Sequence, residues 1–95
     1  MIYIDKNIEV LIMTHKIKMY TLSTCSHCKA AKKFMADNGV KFDFTDVDLL
    51  TGAEKTGVLS EVVRYNPQRS FPTILIDNQI IIGFRENDIR KALGI

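Results

Sequence analysis

Between Ile17 and Met35 the spacing of apolar residues switches from the alternation of a strand to the repeat of a helix, and the switch falls on Cys25-Ser26-His27-Cys28. Upstream, Ile17-Lys18-Met19-Tyr20-Thr21-Leu22 alternates loosely between apolar and polar residues, which predicts a first strand. Downstream of Ser26, residues Ala30, Ala31, Phe34 and Met35 recur at helical spacing with lysines on the opposite face, and Asn38-Gly39 supplies a left-handed stop. A strand leading directly into a helix is the first unit of a layered α/β fold. The only two cysteines of the chain sit at its bend.

The rest of the chain continues the alternation. Val40, Phe42 and Phe44 interleave with Lys41, Asp43 and Thr45, predicting a second strand with one apolar face, and Val47 to Leu50 leads it into a loop. Thr51 followed by Glu54 matches a capping box, and Leu59, Val62 and Val63 lie on one face of the helix it opens, which Asn66-Pro67 ends. Ile74 to Ile76, an Asp77-Asn78 turn and Ile80 to Ile82 read as a β-hairpin. A last helix runs from about Asn87 to Leu93, with Ile89, Ala92 and Leu93 inward and Gly94 as its end. The order is β-α-β-α-β-β-α. Two crossover connections predict parallel strands at the centre of a four-stranded mixed sheet, helices on both faces and an antiparallel last strand.

A chain of 95 residues has room for one core, so residues 16–95 are expected to form a single domain and residues 1–15 an N-terminal extension outside these elements. With 46% hydrophobic and 25% charged residues, the composition is that of a globular protein rather than a disordered one. A net charge of +2 lacks the concentrated basic face that nucleic acid requires. Asp5, Lys6 and Glu9 interrupt the apolar residues of the first segment, no small-residue cleavage site follows, and no apolar run approaches the ~20 residues needed to cross a bilayer. The expected location is the cytoplasm, with no membrane or nucleic-acid partner. There a two-cysteine loop is a poor structural staple, because the thiol pool keeps it reduced and the loop constrains little chain.

Two chemistries remain for Cys25 and Cys28. A cysteine at the start of a helix meets unsatisfied N–H groups and the positive end of the helix dipole, both of which favour a thiolate. Cys25 is therefore read as the attacking sulfur. Cys28, one helical turn on and deeper, is placed to attack a mixed disulfide formed on Cys25 and release the partner. Ser26 and His27, between them, are candidates for tuning the sulfur, and Lys16, Lys18, Lys29, Lys32 and Lys33 cluster about the segment. A closed zinc site needs four ligands, and Cys25, Cys28, His27 and the distant His15 make a poor set, so no bound metal is expected. An iron-sulfur cluster shared between two copies through Cys25, with outside thiols completing its coordination, is the rival from the binding class. A domain whose cysteines are incidental to an interaction role is the third reading.

Cys25-Ser26-His27-Cys28 after the first strand, Phe71-Pro72-Thr73 before the third and Gly83-Phe84 after the fourth occur in an order and spacing that resemble the glutaredoxin-like members of the thioredoxin superfamily, from about Ile17 to Ile95. The resemblance implies a thioredoxin-like fold and a dithiol thiol-disulfide oxidoreductase that reduces protein disulfides. It implies no bound cofactor, a redox-active Cys25-Cys28 pair, a monomer, and glutathione as a candidate co-substrate. It further implies that Pro72 is a cis-proline facing the cysteines, its flanking backbone pairing with a bound peptide or glutathione as a strand does. Thr24, Arg69, Phe71, Thr73, Gly83 and Phe84 would line that site. Gln68 and Arg69 fall where some glutaredoxins contact the glutathione carboxylate.

Two departures bear on the electron donor. Glutathione-dependent glutaredoxins usually carry a lysine where this chain has Leu22, and they follow the last strand with two glycines and an acidic pair. The stretch Gly83-Phe84-Arg85-Glu86-Asn87-Asp88 is instead similar to the ending of NrdH-redoxins, which pass electrons from thioredoxin reductase to ribonucleotide reductase. The implied donors are thus thioredoxin reductase or glutathione, with ribonucleotide reductase a candidate target.

Overall fold

A computed structural model describes residues 15–95. Apart from His15, the expected N-terminal extension lies outside the described residues. The elements are β1 (Ile17–Thr21), α1 (Ser26–Asp37), β2 (Asp43–Asp46), a single 3₁₀ turn (Val47–Leu49), α2 (Gly52–Tyr65), β3 (Thr73–Ile76), β4 (Gln79–Ile82) and α3 (Glu86–Leu93). They form one four-stranded mixed sheet in the order β2-β1-β3-β4.

Alternation along the strands sorts the side chains into two layers. Ile17 and Met19 of β1, Ile74 and Ile76 of β3 and Ile81 of β4 pack with Ala31, Phe34 and Met35 of α1 and with Ile89 and Leu93 of α3. On the other face Tyr20 meets Val47 and Val62, with Val58, Leu59, Phe71 and Leu75 packed around them from α2 and its neighbours. Helices therefore cover both faces, as the sequence predicts. Met19, Met35, Ile74, Ile76 and Ile89 are fully buried.

Three local expectations are corrected. The centre of the sheet is not parallel: β1 pairs in parallel only with β2, while β3 runs antiparallel to β1 and β4 antiparallel to β3. The connection through α2 is not a crossover: β2 ends with Asp46 beside Thr21 and β3 begins with Thr73 opposite Tyr20, so the chain leaves and re-enters the sheet at one end and β3 runs back. The inward face expected of the second strand fails at Phe44, which is 46% exposed. The strand begins only at Asp43, and the Phe44 ring lies under the Lys32 ammonium, 4.0 Å from its centroid, and against Phe42. Thr51 occupies the N-cap of α2, but its side chain makes no capping hydrogen bond, so the capping box does not form. The helix stands without it because Val62 and its neighbours anchor it to the sheet.

The helix stops follow the sequence closely. Gly39 after α1 and Gly94 after α3 both take left-handed backbone, at φ of 66° and 75°. Asn66 caps α2, as the Asn66-Pro67 pair predicts.

Candidate active site

Both cysteine and proline motifs arrive at the same end of the sheet because β1 and β3 are antiparallel. Tyr20, near the end of β1, is opposite Thr73, at the start of β3, so the residues just after β1 and just before β3 are neighbours. Parallel pairing would have put Pro72 at the far end of the sheet from the cysteines. The Phe71-Pro72 peptide bond is cis, as the resemblance implies. Across 46 residues of sequence the carbonyl oxygen of Phe71 comes within 4.0 Å of the Cys25 sulfur.

Cys25 is itself the N-cap of α1, with extended backbone at φ −81° and ψ 123°, and its sulfur accepts the Cys28 N–H at 3.4 Å. The first turn of α1 holds no acidic residue, so nothing on the helix offsets the positive field at its start. Cys28 points inward and is fully buried, its sulfur accepting the Leu22 N–H at 3.5 Å. Both sulfurs are free thiols.

Their acidities are driven apart. The Cys28 thiol does most to hold Cys25 below the usual thiol range; burial opposes it, and the backbone amides of Cys28 and His27 reinforce it. Cys28 is pushed up to about 11, chiefly by burial and further by the Cys25 sulfur, against the pull of the Leu22 amide and the Lys32 ammonium. One sulfur is thus suited to ionise and the other to keep its proton.

His27 and Ser26 are exposed on the first turn of the helix. His27 reaches the Cys25 sulfur through its backbone amide, which survives side-chain substitution. His27→Ala is accordingly expected to leave the Cys25 titration midpoint, read by thiolate absorbance, within about 0.3 pH units of wild type, a small fraction of the one-unit spread that protein environments commonly produce. A larger shift would assign the tuning to the imidazole.

The remaining residues singled out in the sequence divide. Thr24 is exposed immediately before Cys25, and Phe71 is half-buried beside it. Arg69 is exposed on left-handed backbone at φ 55°. Thr73 is fully buried, its hydroxyl donating to the Ser70 carbonyl and accepting from Asn66, so its side chain serves the loop. Gly83 takes φ 87° and donates its N–H to the Pro72 carbonyl, tying the end of β4 to the proline. Phe84 packs edge-on to Phe34 in the core.

Several residues that hold the site carry no local signal in the sequence. Asp48, from the turn after β2, accepts from the Ser23 N–H at 2.8 Å and from its hydroxyl, pinning the segment before Cys25. Those two donors hold the Asp48 carboxyl below the usual carboxylate range. Asn66 is fully buried and organises the loop that ends at Pro72: its amide nitrogen donates to the Ser70 carbonyl, the Ser70 hydroxyl and the Thr73 hydroxyl, each at 3.0 Å, and its oxygen accepts the Gln68 N–H. Asp46, Lys32 and Thr21 form a third cluster beside α1.

The glutaredoxin family model matches residues 17–81. The chain belongs to the glutaredoxin family. It is 32% identical over 77 residues to an uncharacterized glutaredoxin-like 8.6 kDa protein of the rubredoxin operon of Clostridium pasteurianum, covering 81% of this chain and 96% of that protein. It is also 29% identical over 75 residues to the glutaredoxin-like protein NrdH of Salmonella typhimurium, covering 79% of this chain and 85% of that one. Among solved structures, Methanosarcina acetivorans methanoredoxin superposes with a TM-score of 0.79 at 49% identity, covering 84% of this chain and 85% of its own. Thiol-disulfide redox chemistry is the general function of this glutaredoxin-like protein, and Cys25 and Cys28 supply the CxxC pair. Among the described residues, no helix is long and apolar enough to cross a membrane.

Proposed function

We propose that the chain is a dithiol oxidoreductase that reduces protein disulfides. The observation that carries this reading is the divergence of the two sulfurs: Cys25 is lowered by its contacts with Cys28 while Cys28 is raised to about 11 by burial. Cys25 attacks as thiolate, forming a mixed disulfide and expelling one partner sulfur. Cys28 then gives up its proton and attacks Cys25, releasing the second partner sulfur and closing the Cys25-Cys28 disulfide. Two electrons pass from the protein sulfurs to the partner. The Phe71 backbone beside Cys25 supports a role for the Pro72 loop in aligning an extended peptide, with Thr24, Arg69 and Gly83 at the rim of its path.

The donor we favour is thioredoxin reductase, and the target class includes ribonucleotide reductase. Leu22 in place of a lysine, the Gly83-Phe84-Arg85 ending and the likeness to an NrdH protein support both. The test is turnover of a protein disulfide with NADPH and thioredoxin reductase, set against glutathione and its reductase. Wild type is expected to turn over faster with the first pair, and Cys25→Ser to abolish turnover with either. Turnover that survives Cys25→Ser removes the reading, and a faster glutathione system reverses the donor.

A further inference from the structure

The resolving step asks something difficult of Cys28. A fully buried thiol must become an anion long enough to attack, and burial works against that anion. Beside it lies a cluster that the dithiol mechanism does not otherwise use. The Lys32 ammonium and the Asp46 carboxylate are 2.9 Å apart, with side chains only 22% and 15% exposed. The same Asp46 oxygen accepts the Thr21 hydroxyl at 2.6 Å. Burial raises the Asp46 carboxyl, but Thr21 and Lys32 outweigh it and keep the group ionised.

Three links join this cluster to the buried sulfur. Lys32 is four residues after Cys28 on α1, so both project from one face of the helix with Cβ atoms ~6 Å apart. Thr21 immediately precedes Leu22, whose N–H is bonded to the Cys28 sulfur. Asp46 ties these two together from β2, while the Phe44 ring caps the ammonium from outside. An unrestrained lysine would extend to water; this one is held against the sheet end that carries Cys28.

We infer that Asp46 and Thr21 hold Lys32 as a positioning residue for the resolving step, its fixed positive charge meeting the Cys28 thiolate as it forms. The inference rests on the dithiol reading above. In the step, the Cys28 thiol passes its proton to solvent, the thiolate attacks the Cys25 sulfur, the bond from Cys25 to the partner breaks, and the partner thiolate leaves to be protonated by solvent. The groups facing Cys28 are the Cys25 thiol and the Leu22 amide at the junction, Lys32 on its own helix, and Asp46 behind Lys32 on β2. Of these, Lys32 carries the positive charge.

The test removes that charge with Lys32→Gln, which keeps a donor for Asp46, and restores it with Lys32→Arg. In a Cys25→Ser background, thiolate absorbance should show the Cys28 midpoint raised by about one pH unit in Lys32→Gln and near wild type in Lys32→Arg. In the two-cysteine protein, release of a model peptide from Cys25 should slow about threefold in Lys32→Gln at neutral pH. The tenfold loss of thiolate is partly offset by the stronger nucleophilicity of a more basic sulfur. Alkylation of Cys25 should be unchanged, and Lys32→Met replaces Lys32→Gln if the latter loses its near-ultraviolet spectrum. An unmoved Cys28 midpoint and release rate, or equal slowing in the glutamine and arginine variants, overturns the inference. Survival of turnover in Cys25→Ser would instead remove the dithiol reading beneath it.

Discussion

Cys28→Ser is expected to convert the protein from a catalyst into a trap. Cys25 keeps its seat at the start of α1, so it still attacks, and one partner sulfur is expelled. Without the second thiol the adduct on Cys25 has no internal route of release. A disulfide-bonded substrate should accumulate on the protein in one-to-one stoichiometry, visible by mass spectrometry as an adduct cleared only by added thiol. Turnover should fall to the rate at which that added thiol attacks. The serine oxygen cannot stand in, because its proton is far less acidic than that of a thiol. The serine hydroxyl still donates to the Cys25 sulfur, whereas Cys28→Ala removes the largest influence lowering Cys25, so in the alanine variant the pH at which alkylation of Cys25 reaches half its plateau should move upward. The sign follows from the reacting form: the thiolate fraction at neutral pH falls when its stabilising donor is removed. Full turnover by Cys28→Ser without external thiol would contradict the two-step mechanism.

Asn66→Ala is the second large effect, and it acts on the fold. Asn66 is fully buried and satisfies the Ser70 carbonyl, the Ser70 and Thr73 hydroxyls and the Gln68 N–H. Truncation removes the partner these groups share: the Ser70 carbonyl keeps the Thr73 hydroxyl and Ser70 and Gln68 are exposed to water, but the buried contact with Thr73 and the filled volume of the amide are lost, at about 1–3 kcal/mol for each polar group left unpaired. Some relax toward solvent, so a total near 3 kcal/mol is expected, equivalent in a domain of this size to a melting point lower by roughly 12–24 °C. The loop between α2 and β3 carries Arg69, Phe71 and Pro72, so KM for a peptide disulfide should rise in the cold, while the alkylation rate of Cys25, which depends on α1, stays near wild type. A melting point within about 3 °C of wild type would show that the loop is held by other means, because that shift corresponds to less than 1 kcal/mol.

The sequence was most legible where the physics is local. The Cys25 seat follows from a strand meeting a helix within a few residues, and Gly39, Asn66 and Gly94 end their helices for reasons visible within one turn. The four strands, three helices and two-sided packing follow from periodicity. Legibility failed where a residue's partner lies far along the chain. Asp46 meets Thr21 across 25 residues and Lys32 across 14, and nothing in a run of Asp43-Phe44-Thr45-Asp46 announces either pairing. Phe44 misled because alternation reports which side chains share a face but not whether a helix covers that face at the sheet edge. The parallel centre misled because periodicity does not report at which end a connection re-enters the sheet: the one through α2 starts beside Thr21 and ends opposite Tyr20, so it reverses the chain and does not cross over. Asn66 was legible as the end of a helix but not as the anchor of the next loop.

The antiparallel pairing of β1 with β3 has a consequence for how such a chain tolerates change. Bringing Cys25 and Phe71 together depends on one ladder, in which Tyr20 faces Thr73 and Ile17 faces Ile76. A slip of β3 by one residue would shift one motif past the other by ~3.4 Å and turn Ile74 and Ile76 out of the layer they share with Met19, so the same core that stabilises the domain also proofreads its chemistry. Insertions elsewhere, such as in the exposed start of α2, leave that ladder untouched. Evolutionary freedom in length should therefore concentrate between β2 and α2, and the distance from Ile17 to Cys25 should admit almost none.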